Sequence, residues 1–166
     1  MPVVAVTRDI DTRTLTITAR FAAAPQRVWQ LYADPRQLER VWGPPTHPAT
    51  FLEHDLRPGG RTSYYMTSPE GERYGGWWEV TAVDEPRSFS FDDGFADEDQ
   101  NPMAGLPVSH NVYTFEPDGE GGTIATFRSS FDSADDLQKV LDMGVEEGAT
   151  LAINQIDGLL LADAAR

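Results

Sequence analysis

The stretch Thr50–Asp92, TFLEHDLRPGGRTSYYMTSPEGERYGGWWEVTAVDEPRSFSFD, reads as a run of short β-strands divided by turns. Thr50–Leu56 is closed by Arg57-Pro58-Gly59-Gly60, and Arg61–Thr67 by Ser68-Pro69-Glu70-Gly71. Tyr74–Val83 ends at Asp84-Glu85-Pro86, and Ser88–Asp92 follows with Phe89 and Phe91 on one face. Proline presets φ for a turn, glycine permits positive φ, and the apolar residues between them recur at strand period. Further on, Val108–Phe115 and Thr123–Phe131 form another hairpin across Pro117–Gly122. Hairpins in succession build an antiparallel meander, because parallel strands need longer crossovers.

Upstream, Thr12–Phe21 alternates Leu15, Ile17 and Ala19 with Thr14, Thr16 and Thr18, a half-buried first strand. The period then changes. Pro25 suits a first helical position, with Val28, Trp29 and Tyr32 at helical spacing, and Asp34-Pro35 starts a second short helix stopped by Gly43-Pro44-Pro45. Downstream, Ser133 with Asp136 three residues on is a capping-box variant. The stripe from Leu137 to Ala162 then predicts one amphipathic helix of about thirty residues, roughly 45 Å long. Gly144 and Gly148 sit four apart in it, either for close packing or as a notch for a ligand. No repeat or low-complexity tract divides the chain, so 1–166 is expected to be one domain.

The 166 residues carry 13 Lys and Arg against 27 Asp and Glu, a net charge of −14. That balance argues against nucleic acid and against an anionic membrane surface as partners. No apolar run approaches the ~20 residues of a membrane span, and Met1–Ile10 has no signal-peptide core, so a cytoplasmic location is expected. Without cysteine there is no disulfide, thiolate metal site or cysteine nucleophile. His47, His54 and His110 lack metal-ligand spacing, and phosphate loops and nucleophile elbows are absent, so no cofactor, no metal and no catalytic set are expected. Asp92, Asp93, Asp97, Glu98 and Asp99 cluster at the start of the long loop Gly94–Pro107, which is read as solvated, since EF-hand spacing is missing.

What the strands do carry is aromatic bulk. Tyr64 with Met66, Phe89 with Phe91, and Tyr113 with Phe115 each share a face, and parity with Val80 turns Trp78 inward and Trp77 outward. Such a face is either core or the wall of a ligand chamber.

Several segments, in order, resemble the START-like (Bet v 1-like, SRPBCC) superfamily, and within it the family related to the activator of Hsp90 ATPase. They are Pro25-Gln26-Arg27-Val28-Trp29, Trp42-Gly43-Pro44, Asp55-Leu56-Arg57-Pro58-Gly59-Gly60-Arg61, Phe115-Glu116-Pro117-Asp118-Gly119, Met143–Gly148 and Asn154–Leu160. The resemblance implies an α+β helix-grip fold: an antiparallel sheet of six to seven strands wrapped around a long C-terminal helix, with two short helices after strand one. It also implies a chamber between sheet and helix, whose candidate lining is Trp42, Tyr64, Met66, Trp78, Phe89, Phe91, Tyr113, Phe127 and Met143. His54 shares parity with Leu52 and Leu56 and is either a polar group in the chamber or a histidine satisfied by a backbone carbonyl. Arg57-Pro58-Gly59-Gly60-Arg61 is read as structural. The leading functional reading is a monomer or homodimer that holds a small apolar or aromatic molecule. The alternatives are an enzyme of the polyketide cyclase or aromatase kind, using His54, Tyr64 or Tyr113 for proton transfer, and a co-chaperone that meets a basic client through its acidic surface.

Overall fold

The computed structural model describes residues 2–164. Eight strands form one antiparallel sheet: β1 (Val3–Asp9), β2 (Thr14–Phe21), β3 (Ala49–His54), β4 (Arg61–Thr67), β5 (Arg73–Asp84), β6 (Ser88–Ala96), β7 (Ser109–Pro117) and β8 (Thr123–Ser130). Their spatial order is β1-β2-β8-β7-β6-β5-β4-β3, so the meander from β3 ends with β8 beside β2. Two helices, α1 (Pro25–Ala33) and α2 (Pro35–Leu38), carry the chain from β2 to the far edge of the sheet. Asp34 caps α2 by accepting a hydrogen bond from the Arg36 amide at 2.9 Å, the role its position before Pro35 predicts.

The strand count is eight rather than six to seven. The extra strand is β1, an edge strand paired only with β2. Only Val3 and Val6 of β1 pack partly against the core, so no period-two alternation marks it. Strand β6 also runs further than expected, to Ala96, which brings Asp93 and the expected first loop residues, Gly94, Phe95 and Ala96, into the sheet. Trp77 lies in the sheet interior, its indole over Gly94 of the neighbouring strand.

The C-terminal segment is likewise not one helix but three: α3 (Ala134–Asp142), α4 (Val145–Asn154) and α5 (Ile156–Ala164). The first break falls at Gly144, whose φ of 83° is left-handed, a conformation that costs an L-residue with a Cβ about 1–2 kcal/mol. Ser133 caps α3 through the Asp136 amide at 3.1 Å. Helix α3 packs on a small separate cluster of Leu15, Phe131, Leu137 and Val140. Helices α4 and α5 contribute Ile153, Ile156, Leu159 and Leu160 to the main core. Gln155 Nε2 donates to the Gly43 carbonyl at 2.7 Å, and the Val3 amide donates to Asn154 Oδ1 at 3.1 Å, which ties these helices to the loop after α2 and to β1.

Most of the core is aromatic. Trp29 and Tyr32 of α1 lie on Phe89 and Phe115 with ring centroids 5.5–6.5 Å apart. Trp78 stacks on Phe91 at 4.1 Å. Full burial of each such ring stabilises the fold by about 1.5–3 kcal/mol, and offset or edge contacts add to that.

Candidate functional site: a cavity between sheet and helices

Between the inner face of the sheet and α4 lies a cavity of about 520 Å³, within the range of about 300–1,000 Å³ usual for small-molecule sites. Its walls come from Ile17 of β2, Tyr32 of α1, Trp42 after α2, Tyr64 and Met66 of β4, Asp93 and Phe95 of β6, Asn111 and Tyr113 of β7, and Phe127 and Ser129 of β8. Gly144, Gly148, Ala149 and Ala152 close the helix side. A Cβ built on Gly148 meets nothing within 4 Å, so that glycine leaves space and does not serve close packing. Tyr74, Met143, Val145 and Leu151 line the cavity yet stay exposed, and so mark its rim.

Of the ten side chains pointed to by the sequence, Trp42, Tyr64, Met66, Tyr113, Phe127 and Met143 meet around this space. Trp78, Phe89 and Phe91 do not line it; each is at most 1% exposed, and together they form the packed layer behind Trp42 and Tyr113. His54 is also elsewhere. A register shift between Phe51 and Glu53 breaks the parity it was assigned, leaving Leu52 outside and His54 against Phe51 and Trp78. Its Nε2 lies 2.7 Å from the Tyr32 carbonyl, which can only accept, so Nε2 carries the proton and Nδ1 accepts from Thr62 Oγ1 at 2.8 Å. Burial holds its pKa below the usual histidine value, against the pull of that carbonyl. His54 is therefore a neutral strut between the end of α1 and the β3–β4 hairpin.

The polar centre of the cavity is a residue that the sequence groups with the acids at the start of a solvated loop. Phe89, Phe91, Asp93 and Phe95 alternate along β6, which places a carboxyl in an aromatic row. Tyr64 Oη donates to Asp93 Oδ1 at 2.8 Å. Gly76, opposite Tyr64 in the β4–β5 ladder, makes this approach possible, since a Cβ there would collide with the tyrosine ring. Burial pushes the Asp93 carboxyl up to about 7, and the Tyr64 hydrogen bond only partly offsets it. Burial also raises Tyr64 and Tyr113, with the Asp93 charge adding to both, so the two phenols remain donors. Among the described residues nothing hydrogen-bonds to the Tyr113 hydroxyl. Asn111, by contrast, is satisfied internally: its Nδ2 donates to the Phe91 carbonyl at 3.3 Å and to Ser109 Oγ at 3.0 Å, while Ser129 Oγ donates to its Oδ1 at 2.6 Å. Among the described residues, no group of three or more His, Cys, Asp or Glu is placed to hold a metal ion, and no helix is long and apolar enough to cross a membrane.

An eight-stranded antiparallel sheet curled against C-terminal helices, with two short helices after β2 and a cavity inside, is a helix-grip α+β fold of the START-like kind. The chain belongs to the family of activator of Hsp90 ATPase homolog 1-like proteins, whose model matches residues 22–160. The crystal structure of protein Ms6760 from Mycobacterium smegmatis is similar at 67% identity, covering 96% of this chain and 97% of that one, with a TM-score of 0.89. A solution structure of a protein from Arthrobacter aurescens is 46% identical, covers 96% and 92% of the two chains and has a TM-score of 0.91. A third, from Staphylococcus epidermidis, is 24% identical over 96% and 95%, with a TM-score of 0.82, and shares the fold. No curated protein matches the chain.

Proposed function

We propose that this protein binds a small, largely apolar or aromatic molecule in the cavity between the sheet and α4. The observation that carries the reading is a cavity of about 520 Å³ with largely apolar, aromatic walls and a Tyr64–Asp93 hydrogen bond set into them. Affinity would come from taking apolar surface out of water against Trp42, Tyr113 and Phe127, with the polar pair setting orientation. Gly148 offers a way to fill the space without touching that pair, because a side chain built there enters an open volume.

The test is a titration with N-phenyl-1-naphthylamine, which fluoresces in apolar surroundings, on the wild type and on Gly148→Leu. Saturable one-to-one binding by the wild type is expected, weakened about tenfold or more in the variant at undiminished thermal stability. Equal affinity in the two proteins would place the probe outside the cavity and remove the proposal.

A further inference from the structure

We propose that the cavity selects molecules carrying a basic amine, held as the ammonium on the Asp93 carboxylate with its hydrocarbon against the surrounding rings. The inference rests on the ligand-binding reading above and adds the chemical class of the ligand.

The charge inventory of the walls is one-sided. Among the described residues, no lysine or arginine lines the cavity, the acid in its lining is Asp93, and the histidine is His47, in the α2–β3 loop. The polar side chains that line the cavity with Asp93 from the strands and α1 are uncharged: Tyr32 on α1, Tyr64 on β4, Tyr74 on β5, Ser109, Asn111 and Tyr113 on β7, and Ser129 on β8, with Ser109 paired to Asp93 across the ladder. Its cross-strand partner on β5 is Trp78, and α4 presents Gly148, Ala149 and Ala152. One carboxyl oxygen accepts from Tyr64, and no other described side chain bonds to the group. A carboxylate withdrawn from water is costly unless an opposite charge meets it, and the described residues supply none here. A ligand ammonium supplies both the charge and a donor for the second oxygen. The aromatic walls add to this, since ring faces attract cations, more strongly where water is excluded. A ligand carboxylate has the opposite outcome: it would face Asp93 as a like charge inside a chain of net charge −14. A neutral alcohol can use the open Tyr113 hydroxyl but gains nothing from the charge.

Three probes with one ring system separate these cases: 1-naphthylmethylamine, 1-naphthalenemethanol and 1-naphthylacetate, each titrated calorimetrically at pH 8 into the full chain. The expected order is amine, then alcohol, then carboxylate, with the amine ahead of the alcohol by about tenfold or more. Lowering the pH to 6 protonates Asp93, whose pKa is about 7, so amine affinity falls while alcohol affinity holds. In Asp93→Asn, which keeps the side chain's size, the amine and the alcohol bind within about twofold of each other. An amine that binds no better than the alcohol to the wild type overturns the inference, whatever the variant does. If the alcohol still binds and is weakened by Gly148→Leu, the cavity reading survives that result. If none of the three binds, both readings fail.

Discussion

Asp93 stands on the inner face of β6 in line with Phe89 and Phe91, where every neighbour on the strand face is a ring. Its carboxyl titrates near 7 in the folded chain against 3.8 for a free side chain, because burial disfavours the charge. The sign of the linkage follows. Below about pH 4 both folded and unfolded chains hold the proton and no penalty exists. Between about 4 and 7 the unfolded chain ionises first, so the stability this residue allows falls with rising pH and levels off above 7. Asp93→Asn removes the effect. Its stability relative to the wild type is expected to rise by up to about 3 kcal/mol between pH 4.5 and pH 8, at about 1.4 kcal/mol per pKa unit. Urea unfolding at the two pH values measures this, and an equal difference at both would show that the carboxyl is well solvated. The residue was legible in principle, since Phe89, Phe91, Asp93 and Phe95 alternate. It was hidden by its neighbours, because Asp92, Asp97, Glu98 and Asp99 give the same stretch the composition of a solvated loop.

At the scale of elements, the two C-terminal glycines act in opposite ways although the sequence presents them as a pair. Gly144 ends one helix and starts the next with φ at 83°, so Gly144→Ala forces alanine into the left-handed region at a cost of about 1–2 kcal/mol. Gly148 lies inside α4 with open space where its Cβ would be, so Gly148→Ala is expected to stabilise the helix by about 0.5–1 kcal/mol. Thermal melts should move in opposite directions, by about 2–4 °C per kcal/mol. Shifts of the same sign would contradict the helix break. Spacing alone cannot tell these roles apart, because a stripe at period 3.6 continues across a one-residue left-handed link. Strand β1 was invisible for a related reason: an edge strand that buries only part of one face has no alternation to read. The β3–β8 meander was legible because its turns carry proline and glycine where the chain reverses. A second clamp between elements lies on the outer face. His110 Nδ1 meets Asp92 at 2.8 Å and Nε2 meets Asp132 at 3.0 Å, joining β6, β7 and the approach to α3. The Asp92 hydrogen bond, with that of Asp132, raises the His110 pKa, so this clamp is strongest at low pH and loosens as pH rises through that value. An NMR titration of His110 should show a raised midpoint that drops in Asp92→Asn; an unchanged midpoint would mean that the pair does not persist in solution.

For the whole molecule, charge and cavity act together. The net charge of −14 draws cations toward a chamber in which Asp93 is the acid among the described lining residues. Association of a cationic probe should therefore slow as salt is added, since the field is screened over about 8–10 Å at physiological ionic strength, while association of its alcohol counterpart stays constant. Identical salt dependence in stopped flow would remove charge steering. The fold class was readable because the order of strands, short helices and final helices survives every local misreading. The lining of the cavity was readable only in part, because a cavity depends on which rings pack against each other and which face space. Trp78, Phe89 and Phe91 share their face with the lining but are covered by the layer formed by Trp42 and Tyr113. The most direct measurement is native mass spectrometry of the protein isolated from its own source, and again after 1-naphthylmethylamine is added in excess. A one-to-one adduct that denaturation removes and Gly148→Leu fails to hold is expected if the cavity binds its ligand as proposed. A chain that shows only its own mass in both experiments would contradict that proposal.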